Sequence, residues 1–344
     1  MAVSSAAPVP VSAITSGCEL DGGVTRQTGA GGNTEPVSGS LDFPGPLINT
    51  FSRHYRYRYG QPVGKIPLHT GHPCPNRARG GCIFCLADSF TPNYLHAVDP
   101  IEIQIARGSR YLLRDRFRLY FGYFQQETCT ALPLDRLLPM LEQVLGVEDC
   151  VGLILSTRPD AVADGLVRAL ADLARQSGRE ILVELGLQSV HERSLQLLNR
   201  NHGVECYFEA AHRIRSVGLG LGVHLIMGIP GESRADMMAT VDTVCAHGLD
   251  AIKLHHLQVI RHTPLHAMHR AAPIPLFDAP AYIELLTEIL PRIPPGVVIH
   301  RLWSRSHLHL LIGPRWDVPP PRLTRMLHRA LAEKGVYQGS RISS

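Results

Sequence analysis

Seven short apolar runs recur along the chain, mostly at intervals of about thirty residues, which is the size of a βαβ unit. They occupy residues 65–69, 117–124, 151–156, 180–188, 222–228, 251–257 and 296–302. Runs that are apolar nearly throughout are typical of strands in a sheet covered on both faces. Six or seven such units predict an α/β fold, a partial or full βα barrel with function at the carboxyl ends of its strands. A doubly wound open sheet is the alternative.

Helical periodicity fills most of the intervals between these runs. Within residues 160–177, Leu166, Val167, Leu170, Leu173 and Ala174 fall on one face. Ser233 and Asp236 have the spacing of a capping box at the start of another helix. A last helix, carrying Leu323, Leu327 and Leu331 on one side, is predicted to cover the outside or end of the barrel. The run GLGLG at 218–222 precedes a strand, so we interpret it as a turn and not as a dinucleotide motif.

Composition divides the chain into a tail and a globular part. Residues 1–46 are rich in Ser, Gly, Ala, Thr and Pro and contain no Lys and a single Arg, Arg26. Such a segment cannot bury enough apolar surface to fold, so we predict a disordered tail. We predict a barrel domain over 47–315 and a C-terminal helical extension over 316–344 that packs on it. The formal charge of +4 permits a nucleic-acid partner without requiring one.

Targeting signals are missing from the tail, which has neither the basic, apolar start of a secretory signal nor the Arg-rich composition of a transit peptide. No apolar run is long enough to cross a membrane. We therefore expect a cytoplasmic protein with no membrane partner, and its eight cysteines should be reduced. Five of them are scattered, several within apolar runs, as buried free thiols are.

The other three cysteines, Cys74, Cys82 and Cys85, lie within a dozen residues in a loop rich in Gly, Asn and Arg. Thiolates at this density indicate a metal centre, either zinc or an iron–sulfur cluster. A closed zinc site needs a fourth ligand, which His69 or His72 could supply. A four-iron cluster also takes four ligands, and Cys129 lies on a different segment. Three thiols alone would leave one iron open for chemistry.

Several further motifs occur in an order that resembles the radical S-adenosylmethionine (SAM) superfamily, in the branch shared by the elongator catalytic subunit and the YhcC-like group. The motifs are CPNR…RGGCIFC, YFGYFQQETCT, STRPD, ELGLQS, LNRNH, HLIMGIPGE, KLHHLQVIRHTPL and VVIHRL, between about Tyr55 and Gly339. The C-x7-C-x2-C spacing departs from the pattern, because related proteins generally have a longer first gap.

This resemblance implies a barrel of the radical SAM type in which Cys74, Cys82 and Cys85 hold a [4Fe-4S] cluster. The fourth iron would bind the amino and carboxylate groups of SAM. One electron, from a donor such as flavodoxin or ferredoxin, would cleave SAM to methionine and a 5′-deoxyadenosyl radical. That radical would remove a hydrogen atom from a substrate that the sequence does not identify.

The resemblance also suggests contacts to SAM. Gln188 would bind the ribose and Arg200 the carboxylate, for which guanidinium geometry is suited. Asp160 and Glu184 are weaker candidates, and Asp160 could equally be a helix N-cap. Gly228 and Gly231, in GIPGE, would let backbone approach the adenosine.

Two other stretches leave alternatives open. Lys253 and His255 share one face of a strand and could face the substrate or, with other histidines, a second metal ion, whereas His256 would face outward. The run FSRHYRYRYG at 51–60 could bind RNA by stacking and charge, although we favour an edge segment that leads into the barrel.

Two functions of different classes follow. The first is a radical SAM enzyme, for which the elongator branch suggests a tRNA nucleoside as substrate; no acetyltransferase half is expected, because the chain ends near residue 340. The second is a zinc-stabilised, nonenzymatic RNA-binding protein. The second function leaves ELGLQS, LNR and GIPGE unexplained.

Overall fold

The computed structural model describes residues 47–114 and 116–342. The predicted tail, 1–46, lies outside this range. The strands are β1 (Val63–Leu68), β2 (Leu119–Phe124), β3 (Cys150–Thr157), β4 (Glu180–Gln188), β5 (Gly220–Met227), β6 (Ala251–His256), β7 (Val259–Ile260), β8 (Val298–Arg301) and β9 (Leu311–Gly313). The helices are α1 (Phe51–Tyr59), α2 (Ile101–Gly108), α3 (Leu134–Leu145), α4 (Asp164–Ser177), α5 (Glu192–Leu197), α6 (Val204–Ser216), α7 (Arg234–Ala246), α8 (Pro264–Ala271), α9 (Ala279–Ile289) and α10 (Pro320–Glu333).

One seven-stranded parallel sheet forms the centre of the fold, in the order β1-β2-β3-β4-β5-β6-β8. All seven apolar runs are strands, as predicted. Each strand pairs with its successor in that series, so the order never reverses, whereas a doubly wound sheet reverses at its middle. The prediction of a partial barrel is therefore confirmed over the described residues.

Apolar strands and amphipathic helices explain the layering. Every residue of β3 is buried, as expected for a strand covered on both faces. Leu166, Val167 and Leu170 of α4 are buried in the main core. At the start of α7, Ser233 and Asp236 form the predicted capping box, so two backbone N–H groups gain side-chain acceptors. The GLGLG run leads into β5, which confirms its interpretation as a turn before a strand.

Helix α1 contacts both edge strands of the sheet, β1 and β8. Thr50, just before it, forms an isolated parallel bridge with Ile299 of β8. Phe51 and Tyr55 are buried against Phe121, and the Tyr55 hydroxyl donates a 2.7 Å hydrogen bond to Glu180. These contacts favour the interpretation of 51–60 as a segment of the barrel edge.

The C-terminal helix α10 packs on α9, with Leu323, Leu327 and Leu331 buried. This is the covering position predicted for it, while the boundary at residues 315 and 316 stays a prediction. A short antiparallel pair, β7 and β9, stands apart from the main sheet. No helix within the described residues is long and apolar enough to cross a membrane.

Candidate active site

A cavity of about 240 Å³ opens at the carboxyl ends of the parallel strands. Its lining includes residues from five of those strands (Tyr123, Thr157, Gln188, Ile226 and His255) together with Arg301 at the end of β8. The three clustered cysteines, which follow β1, line the same cavity. The barrel therefore places its polar strand ends and its thiols around one space, where the sequence predicted function.

The cysteine loop is held across this end of the barrel by backbone hydrogen bonds. Between its cysteines it forms a 3₁₀ turn, Pro75–Arg79, closed by Gly80 and Gly81 in left-handed conformations that favour glycine. Ile83 joins the loop to two other segments, because its N–H donates to Leu198 and its carbonyl accepts from Leu265. The loop is therefore fixed directly after Cys82.

Two of the three sulfurs lie within hydrogen-bond distance of side-chain donors. The Thr128 hydroxyl lies 3.1 Å from the Sγ atom of Cys74. The Sγ atom of Cys82 lies 3.3 Å from Nδ2 of Asn76 and 3.0 Å from Nη1 of Arg200. Donors of this kind stabilise sulfur that carries negative charge, as a metal-bound thiolate does.

Cys85 has a different environment from the other two. Its side chain is open to the cavity, yet the surrounding protein desolvates the thiol, and with Cys82 nearby this raises the pKa of Cys85 to about 12. Without a cation the group is therefore a thiol at neutral pH. A bound metal ion would reverse this, because coordination deprotonates a thiol.

The residues considered as a fourth ligand lie elsewhere. Cys129 is fully buried with its Sγ 3.2 Å from the Ser156 carbonyl oxygen, and His69 accepts a 2.7 Å hydrogen bond from the N–H of Gly71. Neither these two residues nor His72 is among the described residues that line the cavity. In the described part of the chain, no three His, Cys, Asp or Glu side chains converge on a point that could hold a single ion. That finding covers the histidines of 253–269 as well.

Gln188 and Arg200 both line the cavity, where the sequence placed them. Gln188 ends β4 at a register shift and has a φ of 81°, a conformation that costs energy in any residue except glycine. The Nη2 atom of Arg200 donates to the Gly186 carbonyl at 2.5 Å, and its Nε has no protein partner among the described residues. A Cβ at Gly186 would lie 2.9 Å from Nε2 of Gln188 and 3.3 Å from Nη2 of Arg200, so the glycine makes room for both.

Asp160 lies outside this cavity, in a second, shallower depression. It accepts hydrogen bonds of 2.8 and 2.9 Å from Arg158, which in turn donates a 2.6 Å bond to the Arg200 carbonyl. Asp160 is not a helix N-cap, because α4 begins after Ala163. The structure thus gives Asp160 an indirect place beside the site, through Arg158, which lines the cavity with only 4% of its surface exposed.

Glu184 is buried below the cavity and does not line it. Its carboxylate accepts from Ser156 Oγ at 2.9 Å, from His224 Nε2 at 3.0 Å and from His300 Nδ1 at 2.8 Å, and it pairs with Lys253. Burial opposes ionisation of this carboxyl, but these partners hold its pKa well below the usual range. Both oxygen atoms of Glu184 therefore bind side chains inside the barrel, which places this residue beneath the site and not in its lining.

Gly228 and Gly231 lie in the turn between β5 and α7, both with positive φ. The N–H of Gly228 lies 3.2 Å from the sulfur of Met237, and a Cβ there would meet the Phe277 ring at 2.9 Å. Neither glycine is among the described cavity residues. Their predicted contact with adenosine therefore has no counterpart in the cavity lining.

Successive side chains of the histidine-rich strand β6 lie on opposite faces of the sheet, as predicted. Lys253 points into the barrel and donates to Tyr123 Oη at 2.5 Å, and burial lowers the pKa of Lys253 to about 8. His255 lines the cavity two residues further on. His256 packs its ring on Trp316, with 4.0 Å between ring centroids, and against Tyr282 of the outer layer, although one edge reaches the cavity.

Sequence analysis missed several residues of the site. Glu127 and Thr128 line the cavity beside Cys74, and Glu127 accepts a 3.0 Å hydrogen bond from the Cys74 N–H and a two-point ion pair from Arg77. Both lie in YFGYFQQETCT, which was noted only as a motif. Their position directly after β2, at the functional end of the barrel, is the signal that could have found them.

Comparison with known proteins agrees with the fold. The profile of the radical SAM superfamily matches residues 71–244, and that of the radical SAM C-terminal domain matches residues 249–333. Among curated proteins, the chain is 33% identical over 308 residues to YtqA of Bacillus subtilis (strain 168), covering 86% of this chain and 95% of that protein. It is 35% identical over 300 residues to YhcC of Escherichia coli (strain K12), with the same two coverages.

A solved structure shows the same fold. Elp3 of the archaeon Methanocaldococcus infernus superposes with a TM-score of 0.61 at 18% identity, covering 80% of this chain and 64% of that one. Members of the matched family use a [4Fe-4S] cluster together with SAM. The profile match, the relatives and the cysteine-lined cavity lead to one conclusion: the chain belongs to the radical SAM superfamily and is an enzyme of that class.

Proposed function

We propose that Cys74, Cys82 and Cys85 hold the [4Fe-4S] cluster and that SAM binds in the same cavity, between the cluster and the strand ends. The observation that carries this proposal is the joint lining of one cavity by the three thiols, Gln188 and Arg200. Cys129, which could have closed the coordination of the cluster, has its sulfur at the Ser156 carbonyl instead. An iron without a protein ligand is then available to SAM.

The donor set fits such a cluster. A tetrahedral zinc ion draws all its ligands to one point about 2.3 Å away, and no such convergence exists among the described residues. A four-iron cluster distributes its thiolate ligands over several metal atoms, so three thiols that line one cavity without meeting at a single ion suit it better. The Arg200 guanidinium next to Cys82 compensates the negative charge of the bound thiolates.

When bound, the cluster and SAM supply a 5′-deoxyadenosyl radical that removes hydrogen from a substrate. The protein's own part is to bind, orient and shield these groups. Arg200 has an unpartnered Nε among the described residues, which we assign to the SAM carboxylate. The fixed conformation of Gln188 suits a hydrogen bond to the ribose, because a strained residue held by its surroundings keeps one orientation.

Glu184 has a supporting role in this scheme. It keeps Lys253, His224 and His300 in one buried network below the cavity floor, and Asp160 likewise orients Arg158. The turn containing Gly228 and Gly231 stays a predicted adenosine contact that requires movement of the turn toward the cavity.

A one-electron donor such as flavodoxin or ferredoxin would reduce the cluster. For the substrate, similarity to the elongator branch suggests a tRNA nucleoside, and the fold shared with Elp3 of Methanocaldococcus infernus is consistent with that suggestion. The residues of a site decide its substrate, whereas the family decides the cofactors, so the test of the proposal concerns the cofactors first.

The test is anaerobic cluster reconstitution, followed by reduction in the presence of SAM. The wild type should contain iron, be brown and form deoxyadenosine, whereas Cys74→Ala, Cys82→Ala and Cys85→Ala should form none. Cys129→Ala is the matched control and should retain its iron, since its sulfur is directed away from the cavity. Wild-type protein with a verified cluster that forms no deoxyadenosine would refute the assignment.

The zinc-stabilised RNA-binding protein makes opposite predictions. Such a protein would be colourless, would contain zinc after anaerobic purification and would form no deoxyadenosine from SAM. Metal analysis of the freshly purified protein separates the two functions before any assay is run.

A further inference from the structure

A second arginine, Arg301 at the end of β8, lines the cavity together with Arg200. It is half-buried, and no hydrogen bond or ion pair to its guanidinium is seen within 47–114 and 116–342. Arg305, on the segment that follows, also lines the cavity and has no such partner in the same ranges. Two guanidinium groups therefore line the cavity without a carboxylate partner from the part of the chain that the structure describes.

Two buried lysines stand near Arg301, and burial lowers the pKa of both. Lys65 and Lys253 lie close enough for Arg301 to act on both electrostatically. The nearby carboxylate, Glu184, already accepts from Lys253, His224, His300 and Ser156. Concentrating cations in a partly desolvated site costs free energy, and a bound anion would offset that cost.

The cavity lining offers Arg301 no other acid. Among the lining residues of the described chain, the acidic one is Glu127, and it is engaged by Arg77 and by the Cys74 N–H. Two serines and a glutamine, Ser304, Ser306 and Gln258, stand beside Arg305 in the lining. The Ser304 and Ser306 hydroxyls donate to the His256 carbonyl and to Oε1 of Gln258. The Gln258 amide and the two guanidinium groups remain as donors for an oxyanion.

We propose that Arg301 and Arg305 bind an oxyanion of the substrate, a phosphate or a carboxylate, and so orient the substrate for hydrogen removal. This inference rests on the proposed function, because it assigns the substrate class of that same cavity. Two arginines can each form two parallel hydrogen bonds to such a group, which fixes orientation as well as charge.

Binding of small probes tests the inference directly. Uridine 5′-monophosphate and malonate represent the phosphate and carboxylate, and uridine is the neutral control. Calorimetry on the cluster-loaded protein, without reductant, should show binding of one anion and none of uridine. Arg301→Gln and Arg305→Gln should each weaken that binding about tenfold or more, the loss expected for a charged hydrogen bond. Arg301→Lys should retain part of it.

A matched control is Arg329→Gln, which removes an exposed arginine of α10 and should leave anion binding unchanged. Iron content and melting temperature show whether each variant is folded. Absence of binding by either anion, or equal binding by the wild type and both glutamine variants, overturns the inference. A fall in SAM affinity with anion binding intact also overturns it, since Arg301 would then serve the cofactor.

The proposed function and the anion-binding inference can fail independently of each other. Anion binding is measured without SAM cleavage, so a protein that makes no deoxyadenosine can still be tested for it. Conversely, deoxyadenosine formation without anion binding would leave the proposed function standing and remove only this inference.

Discussion

Glu127 is the residue whose importance emerges only from the structure. It follows β2 with a φ of 58° and connects that strand end to the cysteine loop through the Cys74 N–H and Arg77. A carboxylate that accepts a backbone N–H and a guanidinium forms charge-assisted bonds, which are stronger than neutral ones. We infer that Glu127 positions Cys74 without binding iron itself.

Replacing Glu127 by Gln should therefore loosen the cluster. Losing the charge weakens bonds worth about 1.5–3 kcal/mol, so iron release to a chelator should accelerate about tenfold or more. The release rate of the anaerobic protein is the measurement. Glu209→Gln, which removes an exposed carboxylate on α6, is the control and should match the wild type. Equal rates for Glu127→Gln and wild type would contradict the positioning role.

Gln188 allows a second prediction at the same scale. Its φ of 81° suits glycine alone, so Gln188→Gly should be more stable than Gln188→Ala by about 1 kcal/mol. Chemical denaturation of the two variants measures the difference. Both lack the amide, so both should bind SAM more weakly than the wild type. An alanine variant as stable as the glycine variant would show that the backbone relaxes at this position.

At the scale of elements, the buried face of the C-terminal helix was predictable from the sequence, but the surface it covers was not. The spacing of Leu323, Leu327 and Leu331 predicted one buried face, and all three side chains are buried. The sequence could not say which surface α10 covers, because an apolar stripe fits any apolar partner of similar shape. That partner is the helix α9, which is itself apolar around most of its circumference.

Leu327→Ala tests the contribution of this packing. The side chain is fully buried, so its truncation should lower the free energy of unfolding by about 2–5 kcal/mol. Equilibrium unfolding in urea gives the value, and His328→Ala, on the exposed face of the same helix, should change it by less than about 0.5 kcal/mol. A loss below about 1 kcal/mol for Leu327→Ala would mean that α10 is attached only loosely.

For the molecule as a whole, buried neutral histidines make stability depend on pH. Burial lowers the pKa of His256 to about 3, and its Nδ1 accepts the N–H of Ser304, as a neutral ring can. Burial likewise lowers the pKa of His224 to about 4. In the unfolded chain both titrate near the ordinary value of about 6.5.

The sign follows from proton counting. Between about pH 4 and pH 6.5 the unfolded chain binds protons that the folded chain does not, so the free energy of unfolding rises with pH. The stability is complete above about 6.5 and is lost as pH falls toward the folded values. His256→Gln should reduce the slope by up to about 1.4 kcal/mol per pH unit, measured by denaturation at several pH values. An unchanged slope would show that His256 is charged when folded.

The amino-acid sequence by itself determined the seven parallel strands, the capping box of α7 and the candidacy of the three cysteines, because these depend on local periodicity and on residue chemistry. The roles of Glu184 and Asp160 could not be predicted in this way. The Glu184 partners Ser156 and His300 are 28 and 116 positions away in the sequence, and only the pairing and curvature of the sheet bring them to Glu184. Tertiary structure likewise decided that Cys129 is directed away from the cavity and that Arg301 lines it with no ion-pair partner among residues 47–114 and 116–342. Both depend on which strand lies beside which.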